Sequence, residues 1–226
     1  MIHDVDQALR RMVTAAAPMP GAEVEVLFDA PTKDWAARRN GPTVNVFLYD
    51  IREDVQRRQR GMRNTYDEKK VISARSLPPR HVRLSYLVSA WTRRPEEEHE
   101  ALSRLLRHLL GYDALPPELV GGMLAEVGLP VPLTVALPPQ DDRSFADVWS
   151  ALGGELKPSL DVVVSAPVDP GRTFPAASAP REGLGTQVAT FDGYDEAGEP
   201  RTRTVGDTVF PNPVGRRTMT RIRRPR

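Results

Sequence analysis

The chain contains no cysteine. Disulfides, thiolate metal sites, iron–sulfur clusters and cysteine nucleophiles are therefore excluded, and stability has to come from packing. Histidine is scarce as well: His3, His81, His99 and His108 are the full set, and no two have metal-ligand spacing on one helical face. His99 and His108 are not the i, i+4 pair of a zinc protease, although Glu100 follows His99. All four are expected as solvated surface side chains, with no metal and no cofactor. No stretch approaches the roughly 20 apolar residues of a membrane span, so no membrane contact is expected. The first twenty residues mix charges into apolar sequence and do not read as a signal peptide. Phosphate-binding loops of the GxxxxGK[ST] and strand-GxGxxG kinds are missing too.

A large excess of either charge is also lacking. Thirty-one Lys and Arg against 30 Asp and Glu leave a net charge of +1, so any electrostatic argument is regional. Two regions are basic. Residues 52–80 carry Arg57, Arg58, Arg60, Arg63, Lys69, Lys70 and Arg75, and the last eleven residues carry Arg216, Arg217, Arg221, Arg223, Arg224 and Arg226 without one acid. The terminal arginines are candidate partner-binding residues. No aromatic is interleaved among them to stack on bases, so nucleic acid is not an expected partner. A nucleic-acid-binding adaptor using the basic loop and this tail is the alternative reading.

Periodicity sets the fold class. Ile2, Val5, Leu9, Met12 and Val13 recur at helical spacing up to Pro18 and Pro20. Ala22 to Phe28 alternates as a half-buried strand. Thr43 to Ile51 is apolar on both faces and reads as a central strand. His81 to Trp91 is another strand, antiparallel to the first across the charged excursion. Pro95 opens a helix with Glu96, Glu97 and Glu98 at its positive end and Leu102, Leu105, Leu106, Leu109 and Leu110 on one face. Gly111 is placed to end it in a left-handed turn. A short helix over 116–126, a strand over 133–137, a helix over 145–152 and a strand over 160–166 complete an α/β (α+β) domain, residues 1–168. Its sheet is expected to be mixed, largely antiparallel and flanked by helices, with Trp91, Trp149, Leu105, Leu106 and Leu109 in one core. Residues 169–226 turn to Pro, Gly, Ala and Ser and read as an extended arm, with a possible hairpin from 185–194 and 202–210.

Catalytic signals are thin. Asp50, Glu53 and Asp54, or Asp141 and Asp142, imitate a general acid–base pair, which leaves a hydrolase as a third reading. Asp192 to Asp195 lacks the register of a calcium loop and fits a hairpin turn. No catalytic residue is assigned.

Four stretches, in order, carry a resemblance: Pro42 to Arg52 (PTVNVFLYDIR), Pro79 to Trp91 (PRHVRLSYLVSAW), His99 to Leu110 (HEALSRLLRHLL) and Phe145 to Ala166 (FADVWSALGGELKPSLDVVVSA). Together they resemble the N-terminal domain of tail-terminator or cap proteins of extracellular contractile injection systems, of the antifeeding-prophage and Photorhabdus-virulence-cassette type. The resemblance implies an assembly subunit and not an enzyme. It implies a homo-oligomeric ring, a hexamer, that closes an inner tube and meets the last sheath layer. Such a protein would be made in the cytoplasm and leave it only within the assembled particle.

Overall fold

The computed structural model describes residues 1–16, 19, 21, 23–68, 70–138, 145–176, 193, 194 and 196, and the backbone of 184–192 and 200–210. Contacts divide the chain into two compact units, Met1–Phe174 and Pro175–Arg226. The first opens with helix α1 (Ile2–Ala15), which buries Val5, Ala8, Leu9, Met12 and Val13 at the spacing of one helical face. Strand β1 (Glu25–Leu27) is shorter than the alternation predicts. Helix α2 (Lys33–Ala37) is one turn that the sequence reading missed, capped where the Trp35 amide donates to the Thr32 hydroxyl at 3.2 Å. Strand β2 (Thr43–Glu53) follows. The charged excursion is not a plain loop, because it folds into a hairpin of β3 (Arg63–Tyr66) and β4 (Ile72–Ser76). Then come β5 (Arg80–Trp91), α3 (Pro95–Leu109), α4 (Gly122–Val127), β6 (Leu133–Val135), α5 (Phe145–Ala151), β7 (Leu160–Val168) and β8 (Thr173–Pro175).

The main sheet has the order β1-β2-β5-β7-β6. Only the β1–β2 pair is parallel; the other pairs are antiparallel. The expected mixed, largely antiparallel sheet flanked by helices is what forms. As expected of a central strand, β2 is interior, between β1 and β5, but the middle position belongs to β5. The reason is burial: β5 is covered continuously from Leu84 to Ala90, whereas β2 is buried only through Val46 and emerges toward solvent beyond it. A second sheet, β3-β4-β8, carries the excursion.

The two faces of the main sheet hold different chemistry. Val44, Val46, Leu84, Tyr86, Val88, Val162 and Val164 join the apolar side chains of α1, α3 and α4 in one dry cluster. Even there the one phenol is satisfied, since the Tyr86 hydroxyl donates to Asp6 Oδ1 at 2.8 Å. Side chains alternate along β5, so Trp91 points to the opposite face. There it meets Trp35 edge-on at 5.3 Å and Trp149 at 6.2 Å. The single core expected from the sequence is thus divided: Leu105 and Leu109 lie in the aliphatic cluster, with Leu106 at its margin, while the tryptophans stack with one another on the other face. A Lys157 ammonium lies 4.8 Å from the Trp91 ring centre and pairs with the buried Glu98, whose other oxygen accepts from the Thr92 amide.

Two helix ends also differ from expectation. The residue after α3, Leu110, stays right-handed, and Gly111 does not adopt a positive φ. The left-handed cap falls instead on Gly128, at φ +64°, closing α4. The predicted helix over 116–126 is split into a 3-10 turn at Pro117–Leu119 and α4, which opens on Gly122 at φ +55°. In the second unit β9 (Leu184–Tyr194) and β10 (Pro200–Phe210) pair antiparallel, as the hairpin reading expects.

Trp149 is 1% exposed and packs in the tryptophan cluster with Trp91. Trp149→Ala is expected to lower stability by about 3 to 5 kcal/mol, read as a shift of the urea midpoint at unchanged slope. A loss below about 1 kcal/mol would show that the aromatic face contributes little to folding.

Candidate assembly surfaces

Chemistry outside the core concentrates in two places. The first is the charged lobe at the end of β2, comprising the hairpin β3–β4 and the 3-10 turn Val55–Arg57. Its foot is tied down by ion pairs. Glu53 accepts from Arg58 at 2.9 Å and from Arg80 at 2.6 Å, and these hydrogen bonds, Arg58 first, hold its carboxyl down at about 2. Asp54 accepts from the Ser165 hydroxyl at 2.8 Å and pairs with Arg57 at 3.4 Å. The carboxylates that imitate an acid–base pair in the sequence therefore serve as anchors for arginines. Asp50 pairs with Arg52 at 2.8 Å; Asp141 and Asp142 lie outside the described residues.

A one-residue bulge in β2 shapes this foot. Leu48 pairs with Tyr86 but Asp50 with Ser85, leaving Tyr49 extra. The Tyr49 hydroxyl donates to Asp161 Oδ1 at 3.0 Å across the sheet. Burial and then the neighbouring Asp161 push the phenol up, and burial pushes the Asp161 carboxyl up as well. Past the bulge, Asp50 and Arg52 share the face of Ser85 and Arg83.

His81 departs from the solvated role expected of it. It is 8% exposed, and its Nδ1 has no hydrogen-bond partner among the described residues. Burial first, and the Arg57 charge second, hold its pKa below the ordinary imidazole value, against an opposing pull from Asp54. His3 and His99 are exposed and His108 stacks edge-on with Tyr112 at 5.3 Å. Among the described residues no three His, Asp or Glu side chains converge as a metal site, and no helix is long and apolar enough to cross a membrane.

The outer part of the lobe is of another kind. Arg60, Arg63 and Arg75 are exposed and make no ion pair with an acid among the described residues. Beside them Val55, Met62 and Tyr66 are 65, 50 and 59% exposed. The strand β3 is the outer edge of its sheet, exposed at all four positions.

The second place is a cleft of about 740 Å³ between the end of α3 and α4. Its floor is apolar, with Leu115, Val120, Leu124 and Val131, and among the described residues its charged lining consists of Asp113 and Glu118. Leu110 and Met123 stand exposed beside it, at 62 and 50%. The sequence reading missed this cleft, because Leu110 reads as one more core leucine of the α3 stripe. The terminal arginines, Arg216, Arg217, Arg221, Arg223, Arg224 and Arg226, lie outside the described residues.

Comparison with known proteins points one way. The family model described as Pvc16 N-terminal domain matches residues 4–182. No curated protein sequence matches. Among solved structures, a sheath/tube terminator in the extended state from an extracellular contractile injection system, PVC, is similar with a TM-score of 0.57 and 24% identity, over 81% of this chain and 64% of that one. The tube-terminating cap of the anti-feeding prophage is similar with a TM-score of 0.54 and 25% identity, over 81% of this chain and 60% of that one. The match thus spans less than two thirds of either of those proteins.

The burial of His81 has a consequence for pH. A folded-state pKa below the unfolded value of 6.5 means that the unfolded chain takes up the proton first. This contribution to stability is complete above pH 6.5 and is lost as the pH falls toward the folded value. His81→Gln should therefore lose less stability than the wild type between pH 7.5 and 5.0 in urea melts. Equal losses in the two proteins would rule out His81 as the source.

Proposed function

The chain belongs to the Pvc16 N-terminal domain family, and from that membership we propose that it is a cap subunit, a structural and non-enzymatic protein that ends the tube and sheath of a phage-tail-like contractile particle. The observation that carries this reading is the match over residues 4–182, supported by the same fold in a tube-terminating cap. Several copies form a closed ring, a hexamer, across the tube end, and the ring's rim meets the last sheath layer. Assembly takes place in the cytoplasm and the finished particle is released.

The fold suits a subunit of this kind. A cyclic ring uses two different patches per copy, and the lobe and the cleft are two such patches on Met1–Phe174. Residues 1–168 are the cap domain in this reading, and 169–226 are an arm that runs over neighbouring subunits. Arg216, Arg217, Arg221, Arg223, Arg224 and Arg226 then pair with carboxylates of the sheath, the tube or an adjacent cap subunit, where guanidinium forks bind best.

Two measurements test it. Imaging of purified particles with this chain labelled should put the label at one end only. Label along the shaft, or absent from particles, would sink the reading. A chain cut after Ala176 keeps β8 in its sheet and should still melt cooperatively, yet leave particles uncapped. Normal capping by the shortened chain would remove the arm from the mechanism.

A further inference from the structure

We propose that the β3–β4 lobe of one copy of this chain docks head to tail into the apolar cleft between α3 and α4 of a second copy. The inference deepens the reading of the chain as a ring-forming cap and rests on it.

Three observations meet here. First, the lobe has the composition of an interface centre and not of a solvated loop. Met62, Tyr66 and Val55 are half or more exposed among Arg60, Arg63 and Arg75, and Tyr, Met and Arg are the residues enriched where proteins bury surface against each other. Second, the cleft is its complement in shape and sign. It has an apolar floor, a volume sufficient for a Met or Tyr side chain, and, among the described residues, Asp113 and Glu118 as its charges. Arginines entering beside Met62 would find carboxylates and no cation. Third, the charge of the whole domain is divided in the same sense. Residues 52–80 hold nine Lys and Arg against four Asp and Glu, while 1–51 together with 81–168 hold twelve against nineteen. A positive lobe on a negative body attracts the body of the next copy.

The lobe and the cleft share no residue, so the contact is heterologous and a joined pair of copies retains one free lobe and one free cleft. Such a contact continues until it closes, which is how rings arise. A phosphate backbone as occupant is disfavoured, because it would leave Met62 and Val55 without apolar partners and would face the negative body.

The absence of native cysteine makes the test clean. Full-length Met62→Cys is mixed under mild oxidation with full-length Leu129→Cys, and separately with Met123→Cys. A covalent dimer containing one of each is expected in at least one mixture, above the yield of either variant alone. Failure in both mixtures overturns the inference. In sedimentation runs from 50 to 500 mM salt, Arg60→Glu/Arg63→Glu and Glu118→Lys should each weaken self-association about tenfold or more, and mixing the two reversed variants should restore much of it. A wild-type chain that stays monomeric at every salt concentration while a short DNA duplex binds it with steep salt dependence would overturn the inference in favour of nucleic acid. The two levels separate. Wild-type capping without cross-links removes only this contact, whereas cross-links in a protein found nowhere on particles support the contact and remove the cap reading.

Discussion

Everything in the first unit is arranged around the burial of β5 on both sides. Its residues from Leu84 to Ala90 are covered without a gap, and it hydrogen-bonds to β2 along one edge and to β7 along the other. A strand so placed cannot slip by one residue, because the slip would exchange the aliphatic set that faces α1, α3 and α4 with the Ser, Leu and Trp set that faces α2 and α5. The fixed register sets where each end of β5 delivers its neighbours. One end passes through Trp91 to the tryptophan cluster and the Glu98–Lys157 pair. The other passes through Arg80 and His81 to the lobe.

The lobe is accordingly rigid at its base and open at its tip. Glu53 and Asp54 bind four partners between them, Arg58, Arg80, Arg57 and Ser165. Individually, such pairs near water contribute little. As a network at the root of a hairpin they fix the direction in which β3 and β4 project. The arginines farther out are then left to the surface together with Met62 and Tyr66. That division between anchoring and presenting charges does not depend on the identity of any partner.

Much of the fold was legible in the sequence because periodicity reports burial. The stripe of α3, the alternation of β5 and the apolar character of β7 each follow from which residues meet the sheet or the helices. What was illegible has equally physical causes. The turn α2 is too short to show a period, and only its Thr32 cap marks it. The β3–β4 hairpin buries almost nothing, so no hydrophobic alternation betrays it. Trp91 and Trp149 share a hydrophobic character with the leucines of α3, and a pattern of characters does not say which side of a sheet each occupies. His81 opens the predicted strand beside the charged excursion, and only the pairing of β5 with β7, opposite Pro167, brings it under cover. For the candidate surfaces the sequence disclosed the charge of the lobe and not its apolar half, and the cleft not at all, since a concavity arises from elements distant in the chain. The family resemblance, resting on four ordered stretches, was stronger than any single pattern and agrees with the family found.

The bulge at Tyr49 divides β2 into two lengths with opposite phase. Upstream of it, even-numbered residues turn toward the helices; downstream, odd-numbered ones do. Had Tyr49 paired regularly with Ser85, Asp50 and Arg52 would fall opposite Leu84 and Val82 and point into the aliphatic side. The bulge is thus a joint between two sequence grammars, one that answers to the core and one that answers to the lobe. Substitutions on one side of it need no compensation on the other. A family built on this domain can therefore vary what the lobe displays, in length and in charge, while the sheet that carries it stays the same.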